Sequence, residues 1–426
     1  MSDLSSGATR TIPPPGPRPE APDGAAAWRR LAVGLLLAPI GGIGLWSTVV
    51  VLPTIQDEFG VSRGGASLPF AMTLVGFAIG GVFMGRMADR FGLVPPLLFG
   101  ASVLGVGYTL ASLAQSYWQF LAIQCLLIGM LGSSVTFGPL VADITHWFVR
   151  RRGIAVAIVA SGNYLSGTIW PPILQFGIEA VGWRQTHLYV GLFVVVTMIP
   201  LALLMRRKGR HSAEMSAAGA PALHTSPAPL PVLQGFLIVA GLACCVAMAM
   251  PQVHMIAYCL DLGYSAANGA EMLSIMLGLG VVSRLISGLM ADHIGGLGTL
   301  LIGSSLQCLA LMFYLPFDGL MSLYLVAALF GLAQGGIVPS YALIVRDYFP
   351  ANQAATRVTV VLMATVAGMA LGGWLSGVIF DLTGSYQMAF INGIAWNLLN
   401  MSIAGWLMIS RMRPGVRLAA QRVVRD

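Results

Sequence analysis

Apolar residues gather into twelve stretches of the chain, at 30–54, 67–87, 94–114, 117–142, 154–176, 186–205, 233–259, 268–291, 297–316, 320–344, 358–380 and 387–410. Each is close to the ~20 residues that an α-helix needs to cross a hydrocarbon layer. The pattern therefore predicts an all-α membrane protein of twelve transmembrane helices. The first run follows Arg29-Arg30 and is long enough to stay in the membrane rather than serve as a cleaved leader. A longer polar segment after Arg206 divides six runs from six. The expected organisation is a disordered N-terminal tail over 1–28, a six-helix bundle over 29–206 and a linker over 207–231. A second six-helix bundle over 232–411 and a tail over 412–426 complete it.

The basic residues set the orientation. With the N-terminus placed in the cytoplasm, 20 of the 23 lysines and arginines fall on the cytoplasmic side, in both tails, the linker and the turns around Arg86, Arg90, Arg150 to Arg152, Arg346 and Arg357. Arg63 and Arg184 fall on the other side, and Arg284 lies inside a run. Such asymmetry is the positive-inside signal. The net charge of +7 is thus topological, and a nucleic-acid partner drops out. Composition agrees: 57% of residues are hydrophobic and 9% charged, too few charges to cover a water-soluble surface. Lys208 is the single lysine, which points to an arginine-rich bacterial genome and hence to an inner membrane. Small-xxx-small pairs at Gly76/Gly80, Gly81/Gly85 and Gly373/Gly377 suit close helix contacts. Cys125, Cys244, Cys245, Cys259 and Cys308 lie in apolar runs without metal or disulfide spacing, and no metal or cofactor site is expected.

The two halves repeat. Gly85-Arg-Met-Ala-Asp-Arg-Phe-Gly92 follows the second run and Gly288-Leu-Met-Ala-Asp-His-Ile-Gly295 the eighth, which argues for duplicated bundles. The first copy resembles the loop signature of the major facilitator superfamily, Gly-x-x-x-Asp-Arg-x-Gly. The resemblance implies the major facilitator fold, with two pseudo-symmetric bundles. It also implies a gating cluster, Gly85, Asp89, Arg90, Gly92 and, in the second copy, Asp292, that holds the cytoplasmic gate shut in the outward-open state. His293 replaces the arginine of the second copy, which predicts a weaker or pH-sensitive latch there. A merely basic, topological turn is the plainer reading of the same residues.

A second stretch, Trp147-Phe-Val-Arg-Arg-Arg-Gly-Ile-Ala-Val-Ala-Ile-Val-Ala-Ser-Gly162, is similar to the fifth-span signature of the monocarboxylate transporters. The blocks Val253 to Gly263 and Ser283 to Gly288 look like the seventh and eighth spans of bacterial members, near the oxalate/formate antiporters. The family's acidic residue before a Gly-Trp in the first span is not reproduced around Gly41 to Trp46, and Gly280 stands where animal members carry aspartate.

Arg284 is the leading site candidate. A buried arginine costs about 2.5–3.5 kcal/mol on insertion scales, so it should face a water-filled cavity or a partner. Its planar fork suits a carboxylate, and it stays protonated. The resemblance assigns the position to substrate-carboxylate binding. Pairing with Asp261, Glu271 or backbone carbonyls for packing alone is the alternative. A permanently charged arginine cannot carry a proton, so coupling would fall to His254 or Asp261. Either has a plainer reading too, as a hydrogen bond to a neighbouring helix or a loop cap. Asn163, Tyr164, His254, Gln334 and Tyr341 are expected to shape the substrate pocket, with Trp46 and Trp170 as further candidates; core packing or a place in the interfacial belt is the plainer reading of the weaker ones. Pro39, Pro139, Pro251 and Pro339 are expected to kink spans 1, 4, 7 and 10. The eleventh span carries no cation between Val360 and Val378, which favours one carboxylate over two.

The reading is a non-enzymatic secondary transporter that moves a small monocarboxylate with a proton across a lipid bilayer. An exchanger or exporter of another organic anion or amphiphilic compound is the alternative, and a non-transporting membrane sensor a remote one.

Overall fold

The computed structural model describes residues 23–148, 151–206 and 229–412. Most of the expected tails and linker, with Arg150, Arg207, Lys208 and Arg210, lie outside them; Ala25 to Trp28, expected in the disordered tail, are helical instead and open α1. All regular structure in the described residues is helical.

Three helices open the fold: α1 (Ala25–Phe59), α2 (Arg63–Phe91) and α3 (Val94–Ser112). The fourth crossing is composite. It starts as α4 (Tyr117–Ala122), widens into a π-helical stretch (Ile123–Gly132), tightens through a 3-10 turn (Ser133–Thr136) and ends as α5 (Gly138–Trp147). Gly76 and Gly80 of α2 allow this, because a Cβ at either would strike the Cys125 or Met130 carbonyl of the π stretch. The fifth crossing joins α6 (Arg152–Ala160) to α7 (Gly162–Val181), and α8 (Trp183–Leu204) is the sixth. Past the linker come α9 (Leu230–Asp261), α10 (Ala266–Phe313), α11 (Leu320–Gln334), α12 (Ile337–Tyr348), α13 (Ala351–Thr383) and α14 (Gln387–Met412).

Ten helices among the described residues are long and apolar enough to cross a membrane, against the twelve expected. Two local causes account for the difference. The expected spans 268–291 and 297–316 both fall in α10, whose 48 residues count once among the ten although they are two helical segments that meet at a kink. Gly295 interrupts it with φ 77°, ψ 168°, a conformation that only glycine adopts readily. The expected span 387–410 is α14, which is not among the ten; Asn392, Asn397 and Asn400 dilute its apolar run.

The prolines act unevenly. Pro39 and Pro251 sit inside unbroken α1 and α9, whereas crossings 4 and 10 change direction just before Pro139 and Pro339. There the prolines occupy first turns, where a missing N–H costs no helical hydrogen bond.

Buried apolar side chains form two clusters. One is built almost wholly from helices before residue 205, the other from helices after residue 229, with Trp46, Phe70 and Tyr164 drawn in from the first half. Large apolar side chains also point outward, Phe176, Trp118 and Leu382 at 74%, 71% and 80% exposure. That distribution suits lipid, not water, as surrounding solvent.

The halves meet along α2–α13, α7–α10 and α1–α9. On α2–α13 the approach is backbone-close at the face away from the termini: a Cβ on Gly377 would meet Arg63 O, and one on Gly373 the Phe70 ring. Further along the same face of α2, Gly81 and Gly85 have open space around them, and Val360 and Met363 of α13 are exposed. The α2–α13 seam is therefore closed at the far face and parted toward the face where α1 begins and α14 ends.

Candidate functional site

Arg284 of α10 projects into the seam between the halves. Its Nε donates to Gly335 O (3.3 Å) in the second half, and its Nη1 donates to Ala160 O (3.1 Å) in the first. The guanidinium lies 4.4 Å over the Tyr164 ring, an attraction of about 0.5–2 kcal/mol. No carboxylate contacts it among the described residues, and its Nη2 makes no hydrogen bond there. Asp261 and Glu271, the acidic partners considered above, are engaged elsewhere: Asp261 with Arg63, and Glu271 with the Tyr324 hydroxyl. The local backbone explains the position. Gly335 and Gly336, between α11 and α12, press on Gly280, Ser283 and Ser287 of α10, so the Gly335 carbonyl reaches the arginine.

Around Arg284 the structure gathers some of the expected residues and removes others. Tyr164 packs on Gly280, whose Cβ position is 2.6 Å from that ring and 3.5 Å from Gln334 Nε2. Buried Gln334 accepts a hydrogen bond from Gln252 Nε2, which adds a residue of α9 that sequence reasoning missed. Asn163 is half-buried beside Tyr164. Its carbonyl accepts from Trp46 Nε1 (3.2 Å) and its side-chain Oδ1 has no partner among the described residues. Trp170 donates to Pro39 O (2.8 Å), tying α7 to α1. Tyr341 is elsewhere: its hydroxyl donates to Asn400 (2.7 Å), which in turn donates to Ser304, all within the second half.

His254 and Asp261 are not beside Arg284. They are two ends of one hydrogen-bonded chain at the far-face seam. Arg63 donates from Nη1 to Asp261 Oδ2 (3.1 Å) and from Nη2 to Oδ1 (3.0 Å), a bidentate pair between α2 and α9. The same Nη1 donates to Tyr386 Oη (3.0 Å), and Tyr386 Oη lies 2.9 Å from His254 Nδ1. His254 Nε2 is 2.7 Å from Gly373 O. A carbonyl can only accept, so Nε2 carries the proton, Nδ1 accepts and Tyr386 donates. Burial lifts the Tyr386 phenol above its ordinary value, which keeps that donor in place. Asp381 of α13 accepts from the backbone amides of Arg63 and Gly64 (2.8 Å each), capping α2 from the other half.

Arg63 was legible only as one of two cations on the basic-poor side. The second, Arg184, pairs with Glu58. Both exceptions to the charge asymmetry are ion-paired, and that was the available signal.

The expected gating cluster is not assembled among the described residues. Asp89, Arg90 and Asp292 are exposed and form no ion pair among the described residues; Gly85 and Gly92 have open space around them. Arg90 rests over Phe91 at 5.2 Å. No group of three or more His, Cys, Asp or Glu side chains in the described residues could hold a metal ion.

Two helical halves, a charged group at their seam and a lipid-compatible exterior fit one family. The sequence profile of the Major Facilitator Superfamily matches residues 34–355. The chain belongs to the Major Facilitator Superfamily. As a facilitator it is a multi-pass membrane protein and a transporter, and it resembles the monocarboxylate transporter family. "MFS-type transporter pynF" of Aspergillus niger is 27% identical over 263 residues, 61% of this chain and 59% of the relative. The chain thus spans under two thirds of that relative's length. Monocarboxylate transporter 13 of Bos taurus is 25% identical over 76% of this chain and 75% of its own. A crystal structure of a bacterial homologue of the human lysosomal transporter Spinster, in an inward-facing, unoccupied conformation, superposes with TM-score 0.68. It is 13% identical and covers 92% of this chain and 99% of that one, a likeness of fold.

Proposed function

We propose that this facilitator moves a small monocarboxylate of the lactate or pyruvate kind together with a proton, by rocking two six-helix bundles around Arg284. The observation that carries the reading is the state of that arginine. It touches both halves through carbonyls and an aromatic ring, yet keeps a terminal nitrogen free and meets no carboxylate among the described residues. The two carbonyls are partners that the packing alternative also allows, but they leave the intramembrane charge without a counter-ion among the described residues, and such a charge is costly unless one reaches it. A substrate carboxylate supplies the missing charge, and Tyr164, Asn163, Gln334 and Gln252 border the space it would enter. The single cation favours one carboxylate. Its contacts with both halves make it responsive to their rocking, as alternating access requires.

The finer topology follows from the same reading. α10 would supply two crossings, split at Gly295, and α14 the last, which brings the total to twelve with both termini on the cytoplasmic side. A bacterial inner membrane is the setting proposed. The parted α2–α13 seam then opens to the cytoplasm. Asp89 and Arg90 would engage when that gate closes.

Uptake of radiolabelled lactate and pyruvate into proteoliposomes, with and without an inward proton gradient, tests the reading. Gradient-stimulated uptake is expected for the wild type and its loss in Arg284→Ala. Uptake that survives the substitution would make Arg284 a packing residue; no uptake of either acid by folded wild type would move the substrate to another organic anion.

A further inference from the structure

Two charged groups at the far-face seam are joined to a buried histidine by a single hydroxyl. Asp261 holds Arg63, Arg63 and His254 share Tyr386 Oη, and His254 is anchored on Gly373 O. Arg63 comes from the first half; Asp261, Tyr386, His254 and Gly373 come from the second. Breaking the seam between α2 and α13 therefore breaks the Arg63 links. The arrangement has one weak point, the tautomer of His254. With the ring neutral, Tyr386 donates to Nδ1 and is free to accept from Arg63. With a proton on Nδ1 the ring has no acceptor, so Tyr386 must turn its O–H away while a new positive charge appears one hydroxyl from the guanidinium. The charged and titratable groups around the ring are Arg63 from α2, Asp381 and Tyr386 from α13 and its exit turn, and Tyr258 and Asp261 from its own helix. Asp381 offers little relief, since both its oxygens are committed to the Arg63 and Gly64 amides.

We infer that Arg63, Tyr386 and His254 form a proton-released lock between the halves at the far face, with Arg63 and Tyr386 as positioning residues that tie the protonation of His254 to opening. His254 is fully buried in the closed seam, so the proton binds when the halves part and holds them apart. A proton that prefers the open form shifts the population toward it. The lock rests on the reading of the chain as a proton-coupled transporter and gives that coupling a place; it needs no particular substrate and no contact with Arg284.

Spin labels on the two halves at the far face read it directly. Asp57, exposed at the end of α1, and Leu382, exposed at the end of α13, are labelled through cysteines in the full chain with half-buried Cys125 changed to alanine. Inter-label distances are measured in nanodiscs without substrate at about pH 7.5 and about pH 5.5, either side of the ordinary histidine range. The wild type is expected to lose its short-distance population at the lower pH. His254→Gln can donate to Gly373 O and accept from Tyr386 without titrating, so it is expected to stay short at both. Tyr386→Phe is expected to be long at both. A pH-independent wild type overturns the lock, and so does a shift that persists in His254→Gln or in Tyr386→Phe. Because no carboxylate is present, this result stands or falls apart from the substrate reading.

Discussion

Arg284 and Tyr341 were singled out from the sequence on similar grounds, a polar group in an apolar run, and the structure separates them. Arg284 faces the seam, and its Nη2 makes no hydrogen bond among the described residues. Tyr341 is fully buried and spends its hydroxyl on Asn400, deep in the second half. Tyr341→Phe is therefore expected to leave uptake within about twofold of wild type while costing about 1 kcal/mol of stability, the net worth of a buried hydrogen bond. Detergent thermal unfolding alongside uptake checks both; a collapse of uptake with an unchanged melting temperature would return Tyr341 to the pocket. Sequence reasoning could locate the arginine because an intramembrane cation is rare whatever surrounds it. It could not rank Asn163, Tyr164, Gln334 and Tyr341, since which way a polar side chain faces in an all-apolar helix depends on neighbours far along the chain. Gln252 shows the same limit: it joins the site only because α9 and α11 bring it against Gln334.

At the scale of helices, hydropathy located the apolar runs and parted 268–291 from 297–316 around Gly295, but it gave no sign of the breaks inside single runs. Gly295 carries the φ that divides α10, and the sequence marks it only as the last glycine of a repeated loop motif. An L-residue there would be held in an extended positive-φ conformation essentially reserved for glycine, at a cost of roughly 1–3 kcal/mol. Gly295→Ala should lower the melting temperature in detergent and leave the Arg284 region untouched. An unchanged melting temperature would mean that α10 straightens without penalty and that the division is not built in. The composite crossings 4 and 10 were hidden in this way. Prolines flagged them, yet the breaks fall just before Pro139 and Pro339, where Phe137 leaves helical φ/ψ and Gly335-Gly336 form the turn between α11 and α12, while Pro39 and Pro251 lie inside unbroken helices.

For the whole molecule, charge asymmetry and the repeated loop motif are the grounds for the proposed orientation and the expected two-part plan, both read from sequence alone. The seam between the halves depends on conformation and was not legible. Its closed end gathers Arg63, Asp261, Tyr386 and Asp381, while the expected gating residues Asp89 and Arg90 toward its parted end form no ion pair among the described residues. If Asp89 latches the opposite state, Asp89→Asn should slow uptake several-fold with little change in equilibrium substrate binding; a matching loss of binding would make it a structural residue instead. The central claim remains the carboxylate on Arg284, and equilibrium binding of radiolabelled pyruvate to purified protein tests it most directly. The account predicts saturable binding that weakens at least about tenfold in Arg284→Gln, as loss of a charge-assisted hydrogen bond of about 1.5–3 kcal/mol implies, with the melting temperature retained. Equal binding by wild type and Arg284→Gln would contradict it.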